Sequence, residues 1–283
     1  MDLSPAEFAQ LRGLVHRLCG LALTEEKTYL LRHRLGPVAR AAGCPSFAAF
    51  LARLAGPDAA ALRAPIIEAV TTKETAFFRD RHPFDTFRRV LLPRLGALVR
   101  RRRAERRLAR ARTWCAGVAT GQEAYSIAML IDDYLAAEGR VDPGPGDFPV
   151  LATDISARVL EVARAGRYSD REVRRGVTAP WVGRYFRQAE RGWVVDARLR
   201  ERIEFRQGNL LDPFNGLAPV DVIFCRNVLI YFDEAARRHT CERFADLLPP
   251  GGLLVLGAVE NLYGISSRFI AERLGPTLVY RRL

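Results

Sequence analysis

The chain predicts an α/β fold, a mostly parallel sheet with crossover helices, preceded by an all-helical domain and interrupted by a small antiparallel insertion. Three observations carry this. Residues 1 to about 70 place apolar side chains at three- and four-residue steps and show no strand pattern. From Thr113 onward, short apolar runs alternate with helical patterns. Two stretches break that alternation, Tyr185–Leu199 with Gly192 at a turn, and a tail around Gly275 and Pro276 that ends the sheet antiparallel.

Taken in order, Ser4 before Pro5, with Glu7 three residues on, makes a capping-box start for a first helix through Phe8, Leu11, Leu14, Val15 and Leu18. A second helix follows Thr24 through Tyr29, Leu30 and Leu35, and a third follows Ser46 through Phe47, Phe50, Leu51 and Leu54. Gly43, Pro45, Gly56 and Pro57 punctuate them. Main strands fall near Arg112–Ala116, Val150–Thr153, Ile203–Arg206, Val220–Cys225 and Leu253–Gly257, and DPGPGD (Asp142–Asp147) reads as a loop. The boundaries predicted are a helical domain over 1–75, a helical linker with a basic cluster over 76–110, and a catalytic domain over 111–283 with a β-subdomain at about 183–202.

With 283 residues, 49% of them apolar, the chain can bury a sizeable core in two domains. It has no run of about 18 apolar residues and no secretory pattern, so a cytoplasmic protein without membrane insertion is expected. The five cysteines lack any C-x-x-C and the four histidines stand apart, which predicts neither disulfides nor a metal. The formal charge is +12, from 44 basic against 32 acidic residues, and eight Arg fall within Arg100–Arg112. Such a stretch suits a solvated helix or a docking surface for an acidic partner equally well.

The chemistry begins in AGVATGQEAYSIAM, where a strand meets a turn holding Gly117 and Gly121, and a helix starts near Gln122. Asp154 closes the next strand, where a carboxylate can accept both hydroxyls of a ribose. Together they make a nucleoside pocket. Glu123 sits in the first helical turn, where a dinucleotide site needs bare N–H groups facing pyrophosphate. A negative charge there favours a cationic nucleoside, S-adenosylmethionine, and therefore methyl transfer. In TTKETAFFRD, Thr75 and Arg79 are one helical turn apart, and Arg79 is suited to hold a carboxylate. An ordinary capped helix start is the competing interpretation of that segment. Asn209 is a candidate for the adenine edge, or else leads a turn. In VDVIFCRNVLIYFD, Arg226 and Asn227 project from the end of a buried strand into the same crevice, Tyr231 follows, and Asp233 caps the next helix.

The ordered set TTKETAFFRD, AGVATGQEAYSIAM, ATDIS, NLLD, FCRNVLIYFD, PPGGLLVLG and ENL resembles the CheR-type chemotaxis protein-glutamate O-methyltransferases across nearly the whole chain. The resemblance implies a class I, Rossmann-like S-adenosylmethionine-dependent sheet. It also implies methyl esterification of glutamates on the cytoplasmic methylation helices of chemoreceptors, with S-adenosylhomocysteine as product. By the same resemblance, Thr75, Arg79, Glu123, Asp154, Asn209, Leu210 and Asn227 hold the donor and Tyr231 lies near the reactive methyl. Lys73 stands where the family usually has a donor-touching Asn, and Ala258–Val259 where it often has His-Ser. The inserted hairpin corresponds to a subdomain that grips a receptor tether in some members. Its short loop QAERGW leads us to expect tether-independent binding by a monomer, with Arg12, Arg17, Arg32, Arg34 and Arg40 available to meet the acidic helices. Two rival classes are a nucleic-acid methyltransferase and a non-catalytic receptor adaptor. The first lacks its signatures, since the turn after the fourth strand reads Arg226–Asn227–Val228–Leu229, without an Asn/Asp-Pro-Pro-aromatic or a Pro-Cys. Nucleic acid is not an expected partner.

Overall fold

Ser4 starts the first helix as its spacing predicts: the Glu7 amide donates to Ser4 Oγ at 3.4 Å, and the Ser4 amide donates to Glu7 Oε2 at 2.8 Å. The computed structural model describes residues 1–137, 142–214 and 216–283. In it α1 (Pro5–Cys19), α2 (Thr28–Ala41), α3 (Phe47–Leu54) and α4 (Ala59–Val70) pack around Leu11, Val15, Leu31, Leu35, Phe47 and Phe50, all fully buried. Thr24 gives no side-chain cap, because a 3₁₀ turn over Glu25–Lys27 intervenes before α2. The helix α4 is not singled out by its sequence, where Gly56, Pro57 and an internal Pro65 mask its pattern. Leu62, Ile66 and Val70, four apart, nevertheless form a buried stripe.

A linker from Thr71 to Arg81 leads to α5 (His82–Thr86), a π-helical turn (Phe87–Leu91) and α6 (Leu92–Ala104). The chain then runs through β1 (Thr113–Ala116), α7 (Gln122–Ala137), β2 (Val150–Asp154), α8 (Ala157–Ala165) and β3 (Arg167–Tyr168). Next come α9 (Asp170–Gly176), α10 (Ala179–Tyr185), β4 (Phe186–Gln188), β5 (Trp193–Val195), α11 (Ala197–Arg200) and β6 (Ile203–Gln207). The last elements are β7 (Val222–Cys225), α12 (Glu234–Leu247), β8 (Leu253–Leu256), β9 (Phe269–Leu274) and β10 (Thr277–Arg282).

Among the described residues the main sheet has seven strands in the order β6-β2-β1-β7-β8-β10-β9. The pairs from β6 to β8 are parallel, and β10 is antiparallel to both β8 and β9, as the tail hairpin predicts. From β1 the order runs outward to β2 on one side and to β7 on the other, and this reversal opens a crevice at the carboxyl ends of the strands. The inserted hairpin is present as β4 and β5, and β3 joins β5 as a third strand that the sequence pattern does not announce. Two residues are too few to show a period-2 alternation.

Both faces of the sheet are covered. Phe84 and Phe87 pack on Phe224 on one side, while Trp114 meets Phe244 of α12 edge-on at 5.4 Å on the other. The arginine run divides between structure and solvent. Arg102 forks onto Asp221 at 2.6 and 3.1 Å, and the Arg112 amide donates to the same carboxylate at 2.8 Å, whereas Arg100, Arg101, Arg106, Arg107 and Arg110 are exposed. The five cysteines are free and buried, and burial pushes the Cys19 thiol up to about 11.

Candidate functional site

The carboxyl ends of β1, β2, β6 and β7 form one wall of a cleft of about 970 Å³, and the linker and α1 form the other. Of the residues singled out from the sequence, Thr75, Arg79, Gly117, Glu123, Asp154, Asn209, Leu210, Arg226, Asn227 and Tyr231 line this one space. Lys73 does not. Its Nζ turns to Glu68 Oε2 at 2.5 Å, away from the lining.

The glycine turn is already hydrogen-bonded within the protein. The amides of Gly117 and Val118 donate to Thr153 O at 2.8 and 2.9 Å, that of Ala119 to Asp154 Oδ2 at 2.8 Å, and that of Gly121 to Val118 O at 3.1 Å. These four amides are committed within the protein and cannot cradle a phosphate. Gly117 is required on its own account: its φ is +78°, and a Cβ there would fall 2.5 Å from Val228 Cγ2.

Glu123 is buried, and its Oε2 accepts from Arg226 Nη1 at 3.0 Å, while Oε1 has no hydrogen bond among the described residues. Burial raises its carboxyl above the ordinary value, with Arg226 opposing the shift. The sequence places Glu123 as an unaccompanied negative charge; in the structure Arg226 neutralises part of it. Arg226, 6% exposed, also donates from Nη2 to Asp80 Oδ2 at 2.7 Å and to Arg79 O at 2.8 Å, and lies over the Phe84 ring at 5.3 Å. Its guanidinium therefore ties the linker to the sheet. Asp154 accepts from the amides of Ala119 and Ser156, at 2.8 and 2.9 Å, and desolvation raises its carboxyl too.

The linker is not the helix start its spacing offers. Residues 72–76 are irregular, and Phe78, Asp80 and Arg81 take φ of +50°, +66° and +50°. Thr75 and Arg79 still reach the same cleft, because the turn is pinned from outside. Phe77 is buried edge-on against Tyr168 and Phe186 at 5.0 and 5.4 Å, and the Phe78 amide donates to Ser126 Oγ at 3.0 Å. Tertiary contacts override the local preference of the Thr-x-x-Thr pattern.

Asn209 fixes the helical domain to the sheet, donating from Nδ2 to Leu18 O at 2.9 Å and accepting at Oδ1 from the Leu211 amide. Tyr231 is half-buried against the helical core; its carbonyl accepts from the Ala22 amide at 2.8 Å, and Leu21 bridges Phe232. Asp233 caps α12 through the Ala236 amide, as expected, and also meets His16 Nε2 at 2.8 Å.

Two residues escaped assignment from the sequence. Asp80 anchors Arg226, and buried Glu260 accepts from the amides of Asn227, Val228, Ile230 and Gly257 at 2.8, 3.0, 3.1 and 2.6 Å. That carboxylate holds Asn227 at φ +58° and so shapes the loop before Tyr231. The signal available was an acidic residue just past an apolar strand, too common to read alone.

A family model described as the CheR methyltransferase SAM binding domain matches residues 73–275, and one described as the CheR methyltransferase all-alpha domain matches residues 6–71. The chain is 33% identical to chemotaxis protein methyltransferase Cher2 of Pseudomonas putida, with 99% of each chain covered. It is 36% identical to the chemotaxis protein methyltransferase of Salmonella typhimurium, over 95% of this chain and 88% of that one, and 35% identical to that of Escherichia coli, over 95% and 89%.

Proposed function

Since the chain belongs to the CheR methyltransferase family, and is an S-adenosylmethionine-dependent methyltransferase, we propose that it esterifies glutamate side chains on the cytoplasmic helices of chemoreceptors. The observation that carries this is the convergence of Thr75, Arg79, Glu123, Asp154, Asn227 and Tyr231 on one cleft, whose two carboxylates, Glu123 and Asp154, favour a cationic nucleoside over one bearing phosphate.

The residues present fit the donor. Asp154, at the end of β2, is placed to accept from ribose hydroxyls, and Glu123 Oε1 is free to accept from the α-amine. Arg79, with one Nη bonded to Glu74 O at 3.1 Å, has further donors for a carboxylate. When bound, S-adenosylmethionine supplies an electrophilic methyl on a sulfonium.

The protein's task is then chiefly placement. A glutamate carboxylate is ionised near neutral pH, so no general base is needed to create the nucleophile. The cleft would strip water from that carboxylate, and Tyr231, which lines it, would hydrogen-bond one oxygen and leave the other oriented for attack. Asn227 and Tyr231 keep their places because Glu260 clamps the intervening amides. Receptor helices rich in acid would meet the arginines of α1 and α2, of which Arg17, Arg32 and Arg40 are exposed. The subdomain hairpin, with three paired residues on each strand, supports a binding mode that needs no receptor tether.

Mass spectrometry of a receptor cytoplasmic fragment co-expressed with the protein tests this. Glutamyl methyl esters, released as methanol in mild base, are expected. A base-stable label on nucleic acid, or donor binding without turnover, would overturn it.

A further inference from the structure

The small sheet β3-β5-β4 touches both walls of the cleft from outside it, through Tyr168 of β3, which is 2% exposed. The Tyr168 hydroxyl donates to Thr120 O at 2.6 Å, in the glycine turn of the sheet-side wall, between Ala119 at φ +51° and Gly121 at φ +98°. Its ring stands edge-on to Phe77 of the linker at 5.0 Å. Each contact lies one residue from the cleft lining, since Ala119 precedes Thr120 and Ala76 precedes Phe77. Burial raises the hydroxyl well above its ordinary range, so it remains a donor.

Tyr168 is itself held from several sides. It pairs with Trp193 of β5, and the turn at Gly192 packs so closely that a Cβ there would fall 2.2 Å from Tyr168 O. Ser169, next in the chain, starts α9 in a capping box with Glu172. From β4 comes Phe186, edge-on to Phe77 at 5.4 Å, and from α9 comes Gly176 against the Phe77 carbonyl. Thus β3, α9 and β4 converge on Phe77, and β3 also holds the glycine turn.

We propose that Tyr168 is a positioning residue for the methyl donor, fixing the glycine turn through its hydroxyl and the linker through its ring, so that the β-subdomain sets the spacing between the two walls of the donor site. This rests on the donor cleft described above and not on the identity of the acceptor. Both walls need a brace. Ala119 is a non-glycine residue at positive φ, and so are Phe78, Asp80 and Arg81 in the linker; such backbone persists only where surrounding contacts over-determine it. The Ala119 amide also donates to Asp154, so a shift of the turn at Thr120 would reach the carboxylate placed to accept the ribose hydroxyls. The subdomain thereby has a task inside the catalytic domain that requires no receptor tether.

Tyr168→Phe removes the hydroxyl and keeps the ring, whereas Tyr168→Leu removes both. Calorimetry of the full chain with S-adenosylhomocysteine should show a Kd raised about fivefold in Tyr168→Phe and further in Tyr168→Leu, as one hydrogen bond and then a ring contact are lost. In turnover with a receptor cytoplasmic fragment, KM for S-adenosylmethionine should rise in parallel, with kcat and KM for the fragment within about twofold of wild type. Trp193→Phe is the control: it loses an exposed hydrogen bond, from Nε1 to Asp170 Oδ1 at 2.9 Å, and should leave Kd within about twofold. A lower melting temperature with unchanged Kd in Tyr168→Phe would make Tyr168 an ordinary core residue and overturn the proposal. An equal loss of affinity in Trp193→Phe would overturn it too, by showing a general loosening of the subdomain. A wild-type protein that binds no S-adenosylhomocysteine would overturn it together with the donor cleft, whereas failure of the receptor fragment as acceptor leaves the calorimetric comparison to decide.

Discussion

The two walls of the cleft are built on different principles. On the sheet side, Gly117, Asp154 and Asn227 stand at strand ends whose positions are set by parallel pairing, Thr113 against both Val150 and Val222, and by carboxylates that collect backbone amides. On the linker side, Thr75 and Arg79 stand on an irregular segment with three non-glycine residues at positive φ, held by the Phe77 ring, the Phe78 amide and Arg226. The strand-end wall is robust because a whole sheet would have to move to disturb it. The linker wall is only as stable as a few side-chain contacts, and so is the place where substitutions should act on donor binding from a distance.

Arg226→Met should have the largest effect. It leaves Glu123 buried without its partner and frees Asp80, and breaking a buried pair from one side costs about 3–5 kcal/mol. Urea unfolding should show that loss, and calorimetry a weaker hold on S-adenosylhomocysteine; the double change with Glu123→Gln should cost less than the sum of the two. Equal, additive losses would mean that the pair does not connect the walls. Arg226 Nε, buried without a hydrogen-bond partner among the described residues, already carries a desolvation cost.

Gly176→Ala addresses the linker from its far side. A Cβ there would stand 2.0 Å from Phe77 O, so the backbone of α9 or of the linker must shift, at a cost of about 1–3 kcal/mol. Donor affinity should fall although residue 176 lies outside the cleft; unchanged affinity would show that Phe77 does not set the position of Thr75 and Arg79.

Tyr231→Phe, on the strand-end side, should spare stability and S-adenosylhomocysteine binding while lowering kcat about tenfold, the loss of one hydrogen bond worth roughly 1–1.5 kcal/mol. Full turnover at saturating substrate would remove Tyr231 from its proposed role.

The smallest effect is a pH dependence that belongs to the sheet side alone. Burial raises the carboxyls of Glu123 and Asp154 above 4.5 and 3.8. A raised acid pKa means that folding is disfavoured by these groups when ionised and relieved of that cost as pH falls through the folded values. Donor affinity has the opposite sign, since protonation removes the negative charge that attracts a cation. Calorimetric affinity for S-adenosylmethionine should therefore begin to fall at a pH above 4.5, and fall more than that for uncharged-sulfur S-adenosylhomocysteine. Parallel curves for the two ligands would show that neither carboxylate senses the sulfonium.

The strand-end wall was largely legible in the sequence. Apolar runs such as VDVIFC, bounded by turn residues, read as central strands, and polar residues just after them fall at the sheet's carboxyl edge, so the sequence alone brings Asp154, Asn209, Arg226 and Asn227 to one crevice. The linker was not. Thr75 and Arg79 suggested one helical turn, and they converge through positive-φ backbone whose cause lies in Phe186, Tyr168 and Ser126, roughly 50 to 110 residues away in sequence. The roles of Asp80 and Glu260 were hidden for the same reason, as each is defined by a partner distant in the chain. The helix α4 was obscured by Pro65 within it and by Gly56 and Pro57 just before it.

By itself, the sequence determined the helical character of the first domain, the order of the main strands, and the residue types that meet at the cleft, because hydrophobic period and turn chemistry are local properties. Only the tertiary structure decided that Arg226 neutralises part of the Glu123 charge, that Lys73 turns away, and that Glu260 clamps the loop before Tyr231. Charge pairing and burial depend on distances between groups far apart in the chain, and no pattern of neighbours encodes those distances.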